Sequence, residues 1–215
     1  MDSTELLSQF RADVADQVEP YLWSNSEVYS YIDSAQIQFC RKVGGIGDAT
    51  SPLTTLNLAL GTDWIAISPL ILKVREAYLQ DGSPVEVLNY EDLPARRIRF
   101  DGKLGRVKSL VIGMEPGSVR VYPTSNGVDV LKLLVDRLPL KTIDDEDQKL
   151  EVQDHHKEGL GLWIRHRAYS KQDAETLNKG EAAQLKQDFV QYCAESKAER
   201  DRAKHKTRVV QYGGI

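Results

Sequence analysis

From Glu181 onward, apolar residues recur at spacings of three and four: Ala182, Leu185, Phe189, Tyr192 and Cys193. That spacing gathers them on one face and predicts an amphipathic helix able to lie on a core. Beyond Cys193 the texture changes to Glu195, Lys197, Glu199, Arg200, Asp201, Arg202, Lys204, His205, Lys206 and Arg208, with small alanines at 194, 198 and 203. The pattern predicts a helix that outruns its own apolar stripe. It leads into Val209-Val210-Gln211-Tyr212-Gly213-Gly214-Ile215, whose β-branched and aromatic residues favour extended structure. An extended peptide of this kind can add to the exposed sheet edge of a partner. A solvated, frayed terminus is the competing reading of the same residues.

Two helices are predicted at the start of the chain. Leu6, Leu7, Phe10, Val14 and Val18 mark the first, which Pro20 closes. Ser24 to Glu27 reads as a capping box that opens the second, with Val28, Tyr31, Ile32, Ala35, Phe39 and Val43 on its apolar face and Gly44-Gly45 as its stop. Between about residues 50 and 142 the period shortens to two, at Leu56 to Leu60, Val74 to Tyr78, Val107 to Ile112, Val119 to Tyr122 and Leu131 to Leu138. Turn chemistry separates these runs at Asp81-Gly82-Ser83-Pro84, Asp101-Gly102, Glu115-Pro116-Gly117 and Asn126-Gly127. An antiparallel sheet or small sandwich follows from that density of hairpin signals, and the lack of a long helical period between the runs disfavours a parallel βαβ sheet.

Thr142 to Glu151 reads as an acidic linker, and Val152, His155, His156, Leu160, Trp163, Ile164 and Ala168 predict a helix over about 154–170. The expected fold class is α+β: a helical bundle of about four helices with an inserted antiparallel β-sheet or sandwich region. The expected boundaries are bundle helices at 1–49 and 143–199, the β region at 50–142 and a basic C-terminal arm at 200–215.

Composition narrows the function. A chain of 215 residues with 41% hydrophobic content can bury a real core and reads as an ordinary soluble protein. No apolar run reaches membrane-spanning length, so no membrane partner is expected, and the acidic Met1-Asp2-Ser3-Thr4-Glu5 start is unlike a secretory signal. Cys40 and Cys193 fall on apolar helix faces and are expected to be reduced core residues. A net charge of −4 argues against wholesale nucleic-acid binding. The cations gather locally, at Arg96-Arg97-Ile98-Arg99, at Arg165 to Arg167 and after Lys197.

Candidate chemistry is sparse. His155 and His156 are neighbours, and adjacent helical positions point about a hundred degrees apart, so the pair does not chelate one ion. Asp144-Asp145-Glu146-Asp147 lacks the glycine and the spaced oxygens of a calcium loop. Gly44-Gly45-Ile46-Gly47 follows a helix, where a phosphate-binding loop follows a strand. No Gly-x-Ser-x-Gly elbow occurs, and Cys40 has no identifiable base. Arg165-His166-Arg167 is the polar face of a helix or a basic surface for an acidic partner, and Trp23 and Trp64 read as core or interface anchors. The expectation is a non-enzymatic protein without catalytic residues, cofactor or metal.

Several segments resemble a known family in order and spacing: Trp163 to Thr176 (WIRHRAYSKQDAET), the break and amphipathic helix after it, the basic stretch closing on Tyr-Gly-Gly-Ile, Trp23 to Val28 with Tyr31 to Gln36, and Leu131 to Thr142 (LKLLVDRLPLKT). Together they resemble the head-to-tail adaptor, or connector, proteins of tailed bacteriophages and prophages. The likeness covers most of the chain and is diffuse from about residue 57 to 130. It implies a structural virion protein of the neck, made in the host bacterial cytoplasm. It further implies a homo-oligomeric ring, commonly of twelve copies, beneath the portal protein, with a tail or nozzle protein on the other face and a central channel that passes double-stranded DNA without binding it specifically. The implied portal-binding residues are Arg200, Arg202, Lys204, Lys206, Arg208, Val209, Val210, Tyr212 and Ile215. Gly159 and Gly161 depart from the pattern, each costing a helix up to about 1 kcal/mol relative to alanine. The alternative function is a DNA-binding regulatory or packaging module that uses the basic C-terminal helix, marked by steep salt dependence.

Overall fold

Two capping boxes start the N-terminal helices. In the structure, a computed structural model that describes residues 1–204 except Arg97, Ala174 and Glu175, the Asp2 side chain accepts from the Glu5 amide while Glu5 reaches back, opening α1 (Ser3–Asp13). Ser24 and Glu27 do the same for α2 (Asn25–Val43).

Helix α1 is shorter than its apolar spacing predicts: Val14 caps it, Ala15 turns back with φ 56° and Val18 is 80% exposed. The cause is electrostatic. Arg11 donates to the Asp16 carboxylate, to the Trp23 carbonyl at 2.6 Å and to Asn25 Oδ1 at 2.8 Å, and Asp16 accepts from the Leu22 amide at 3.0 Å. Both charged side chains are buried. In a continuous helix, residues five apart point about 140° apart, so the pair forms only if the helix stops between them.

The helical unit comprises Met1–Gly44 and the chain from Lys141 onward. The returning chain passes a 3-10 turn at Asp154–His156 and then forms α4 (Lys157–Tyr169) and α5 (Lys179–Lys204). Helix α2 packs on both, and α4 packs on α5. Their shared core buries Phe10, Trp23, Ile32, Phe39, Leu160, Ile164 and Phe189, and the two indole N–H groups find partners at the Ala168 carbonyl and Ser34 Oγ. The acidic stretch is not a free linker. Its carboxylates are exposed, but Ser3 donates through Oγ to the Asp145 carbonyl and through its amide to the Gln148 carbonyl, and the Ile143 amide donates to Asp33.

Gly159 has a packing reason. A Cβ built there would stand 2.1 Å from Tyr192 Cε1, whereas one on Gly161 meets nothing within 4 Å. Tyr192 in turn holds His156, whose Nδ1 lies 3.0 Å from the Tyr192 hydroxyl and whose ring sits 4.4 Å from that of Phe39.

Gly45–Leu140 forms a second compact unit. Its strands are β1 (Ile46–Asp48), β2 (Thr55–Leu58), β3 (Trp64–Ala66), β4 (Ile71–Leu79), β5 (Pro84–Asn89), β6 (Leu104–Gly105), β7 (Ser109–Glu115), β8 (Ser118–Tyr122), β9 (Thr124–Ser125) and β10 (Asp129–Arg137), with the short α3 (Leu93–Arg96) after β5. Seven strands run in the order β1-β10-β4-β5-β7-β8-β3, and β2 adds beside β10 to make an eight-stranded sheet; β6 and β9 pair separately. Leu58 of β2 and Val119 and Val121 of β8 come from opposite ends of that order yet share one core with Leu79, Leu110 and Leu131. The sheet therefore curls into a half-barrel around its own interior.

This corrects the expected fold class. The molecule is α+β, but with five helices among the described residues and a large curled sheet, more sheet-rich than a helical bundle with an inserted antiparallel region. The sheet is mixed, because β5 and β7 pair in parallel with Val87 opposite Leu110. Among its described residues their crossover, 90–108, holds a 3-10 turn, the four-residue α3 and the two-residue β6, each too short to show a period. The Asp101-Gly102 and Asn126-Gly127 signals join no hairpin, whereas Asp81-Gly82 and Pro116-Gly117 do.

Gly159→Ala should destabilise the protein by about 1–3 kcal/mol through the clash with Tyr192, while Gly161→Ala should be neutral or stabilising by up to about 1 kcal/mol. Urea denaturation of the two variants checks the contrast. Acid should also weaken the helical unit. Burial first, and the adjacent His155 second, push the His156 pKa from 6.5 down to about 4, and burial lowers that of His166. With the folded value below the unfolded one, this stabilisation is complete above about pH 6.5 and is lost as pH falls toward 4. The urea midpoint should drop between pH 7.5 and 5, and by less in His156→Gln.

Candidate functional site

Helix α5 buries Ala182, Leu185, Phe189 and Cys193 against its neighbours. Its inward face continues past those residues. Ser196 is buried, and Arg200 is half-buried with Nη1 donating to the Val43 carbonyl at 3.1 Å. Val43 is the last residue of α2, so its carbonyl is among those a helix leaves unpaired at its negative end, where a cation is favoured. Gly44 next to it has φ 97°, and its missing Cβ would stand 3.5 Å from Arg200 Nη1. Ala203, the next position on this face, is exposed. The helix thus leaves the core at Arg200, while Glu195, Lys197, Glu199, Asp201 and Arg202 face outward.

The expected arm residues therefore divide. Arg200 points inward, Arg202 is exposed with Nε 3.4 Å from the Ala198 carbonyl, and Lys204 closes α5. Lys206, Arg208, Val209, Val210, Tyr212 and Ile215 lie outside the described residues. The inward role of Arg200 was open to detection from spacing, since 193, 196 and 200 continue the three-four rhythm with a polar residue in each of the last two places.

Elsewhere the candidate groups serve the fold. His156 is held between Phe39 and Tyr192, and among the described residues no three His, Cys, Asp or Glu side chains gather as a metal site. Gly44 ends α2, and a Cβ on Gly45 would press to 2.9 Å from the Arg137 carbonyl, so close approach of backbone explains the glycine pair. Arg165 lies 3.4 Å from the Gly161 carbonyl and 3.8 Å from Asp13, His166 Nδ1 is 2.8 Å from the Ala182 carbonyl, and Arg167 stands 5.7 Å over the Tyr31 ring. Arg96 pairs with Glu86 at 2.7 Å. Neither cysteine is in a disulfide and both are buried, and burial pushes the Cys193 thiol up to about 11, against reactivity. A shallow concavity of about 610 Å³ beside α1 is lined by Glu5, Ser8, Asp147 and Lys157 among others, with no histidine or cysteine in its wall.

Trp23 is a core anchor, whereas Trp64 is 39% exposed and lies 5.2 Å from Arg120. Arg120 also covers Phe100 at 3.8 Å and grips Asp63 with two hydrogen bonds of 3.2 and 2.7 Å. The sequence does not group these four, because Trp64 and Arg120 lie on different strands and Asp63 and Phe100 outside any strand, with no shared period.

Comparison with known proteins gives one family. No curated protein matches the chain. The model of the SU10 adaptor protein family matches residues 1–211, which takes in both units and every helix and strand described above. On that match the chain belongs to the SU10 adaptor protein family, and its role is the structural one of a phage head-to-tail adaptor.

Proposed function

We propose that the protein assembles as a ring between the portal and the tail, and that its basic C-terminal segment is the arm that docks on the portal. Family membership supports the place of action, the neck of the virion. The observation that carries the arm is the behaviour of α5, which outlasts its buried face at Arg200 and presents charged residues outward thereafter. Arg202, Lys204, Lys206 and Arg208 supply cations for acidic groups of the portal, and Val209, Val210, Tyr212 and Ile215 supply an extended apolar anchor.

The mechanism is geometric. Head-to-tail contacts between copies close a ring when the rotation per subunit divides a full turn. Twelve is the copy number implied by the resemblance. One arm per copy then multiplies a modest contact into a durable joint, because each docking event after the first is effectively intramolecular. A net charge of −4 suits a ring through which duplex DNA passes without adsorbing.

Native mass spectrometry of the protein alone and mixed with its portal tests this. Addition in a fixed multiple near twelve is expected, and a chain truncated after Lys204 should stay folded and fail to dock. Docking of the truncated chain equal to that of the full chain would remove the arm from the proposal, and no association of the full chain would end it.

A further inference from the structure

The contact between Arg200 and the end of α2 carries a second step, which rests on the arm reading just given. We propose that Arg200 is a positioning residue: a clamp that fixes where the arm departs, with no contact of its own to the partner.

Three observations converge. The guanidinium is half-buried and Nη1 reaches the Val43 carbonyl at 3.1 Å, inside the protein's own helical unit. Val43 is 8% exposed and ends α2, so the acceptor belongs to a fixed core element at the negative end of a helix dipole. The aligned inward positions of α5 are Ala182, Leu185, Phe189, Cys193, Ser196 and Arg200, after which Ala203 is exposed, so among the described side chains Arg200 is the last on the inward row of this helix.

The consequence is mechanical. A helix terminus without tertiary contacts frays, because its last carbonyls have no intrahelical donors and isolated helical turns are marginal in water. Beyond Ser196, α5 has no buried apolar residue to resist that. A charge-assisted hydrogen bond to the orphan Val43 carbonyl holds the helix through its last turn. The arm then starts from a fixed point and direction, which lowers the ordering cost of docking.

The test compares Arg200→Ala, Arg200→Lys and Arg202→Ala in the full chain. In the free protein, backbone amides of residues 201–204 should exchange about tenfold faster in Arg200→Ala, the scale of one charge-assisted hydrogen bond at a partly exposed site. They should exchange at the original rate in Arg202→Ala. Arg200→Lys, which keeps a donor, should restore most of the protection. Portal affinity should fall about tenfold in Arg200→Ala while the slope of log affinity against log salt stays unchanged, because no contact charge is lost. In Arg202→Ala that slope should become shallower. Unchanged exchange in Arg200→Ala overturns the clamp, as does a loss of affinity that brings a shallower salt dependence. The exchange measurement needs no portal. If truncation after Lys204 leaves docking intact, the arm reading fails on that result while exchange still decides whether Arg200 holds α5.

Discussion

The burial of α2 against helices that the chain reaches only after residue 140 is the interaction on which the helical unit depends. Val28, Ile32, Ala35 and Phe39 of α2 are at most 5% exposed, and much of their cover comes from α4 and α5. About a hundred residues intervene, yet loop-closure entropy grows only with the logarithm of length. The β unit reduces the cost further by its own topology: Ile46 lies opposite Arg137, so its first and last strands are paired neighbours and the chain leaves where it entered. Gln36 and Asp33 then catch the returning backbone, Gln36 Nε2 donating to the Lys141 carbonyl at 3.2 Å and Asp33 accepting from the Ile143 amide at 3.0 Å. An apolar α2 face alone would bring the ends together without fixing their register. The polar stitch supplies direction, as hydrogen bonds do where hydrophobic burial cannot.

Buried charges play the same directing role throughout. Arg11 and Asp16 shape the loop after α1, and in the β unit Asp48 and Arg137 join the first and last strands, beside a bidentate Arg75 and Asp136 pair at 2.7 and 2.5 Å. Burial alone would raise the Asp48 carboxyl, but hydrogen bonds from Ser51, Arg137 and the Thr50 amide overcome that and hold it below the ordinary range. Such pairs add little net stability over well-packed apolar residues, while breaking one strands a buried charge. Their value in this fold is to make one arrangement of loops and strand ends much better than its neighbours.

The parts of the fold legible in the sequence were those with a local cause. Capping at Ser24 and Glu27, the stop at Gly44 and the apolar face of α2 follow from adjacent residues, and the structure contains each of them. The period-two runs locate β4, β7, β8 and β10, whose apolar residues meet in one core. What escaped depends on distant partners. Strands β1 and β3 have three residues each, too few for a period, and β5 sits between an antiparallel neighbour, β4, and a parallel one, β7, a pairing that no local signal encodes. The early end of α1 is invisible to hydropathy because an ion pair, not an apolar residue, decides it. Gly159 reads as a weak point in one dimension and as the seat of Tyr192 in three. In α5 the change of texture after Cys193 is plain, but the buried face is wider than the apolar stripe: the inward row extends through Ser196 and Arg200.

Why that row should end in arginine follows from the surroundings of its last member. At the rim of the core, where α2 gives out, a leucine at 200 would bury only part of its surface and leave the Val43 carbonyl to water. Lysine would meet the carbonyl as a mobile point charge, with no rigid fork of donors. Arginine donates to the carbonyl from a planar fork of donors. It also places positive charge at the start of a segment whose following cations are Arg202, Lys204, Lys206 and Arg208. The same residue therefore closes the inward row of α5 and satisfies the end of α2, so one side chain ties two helix ends together.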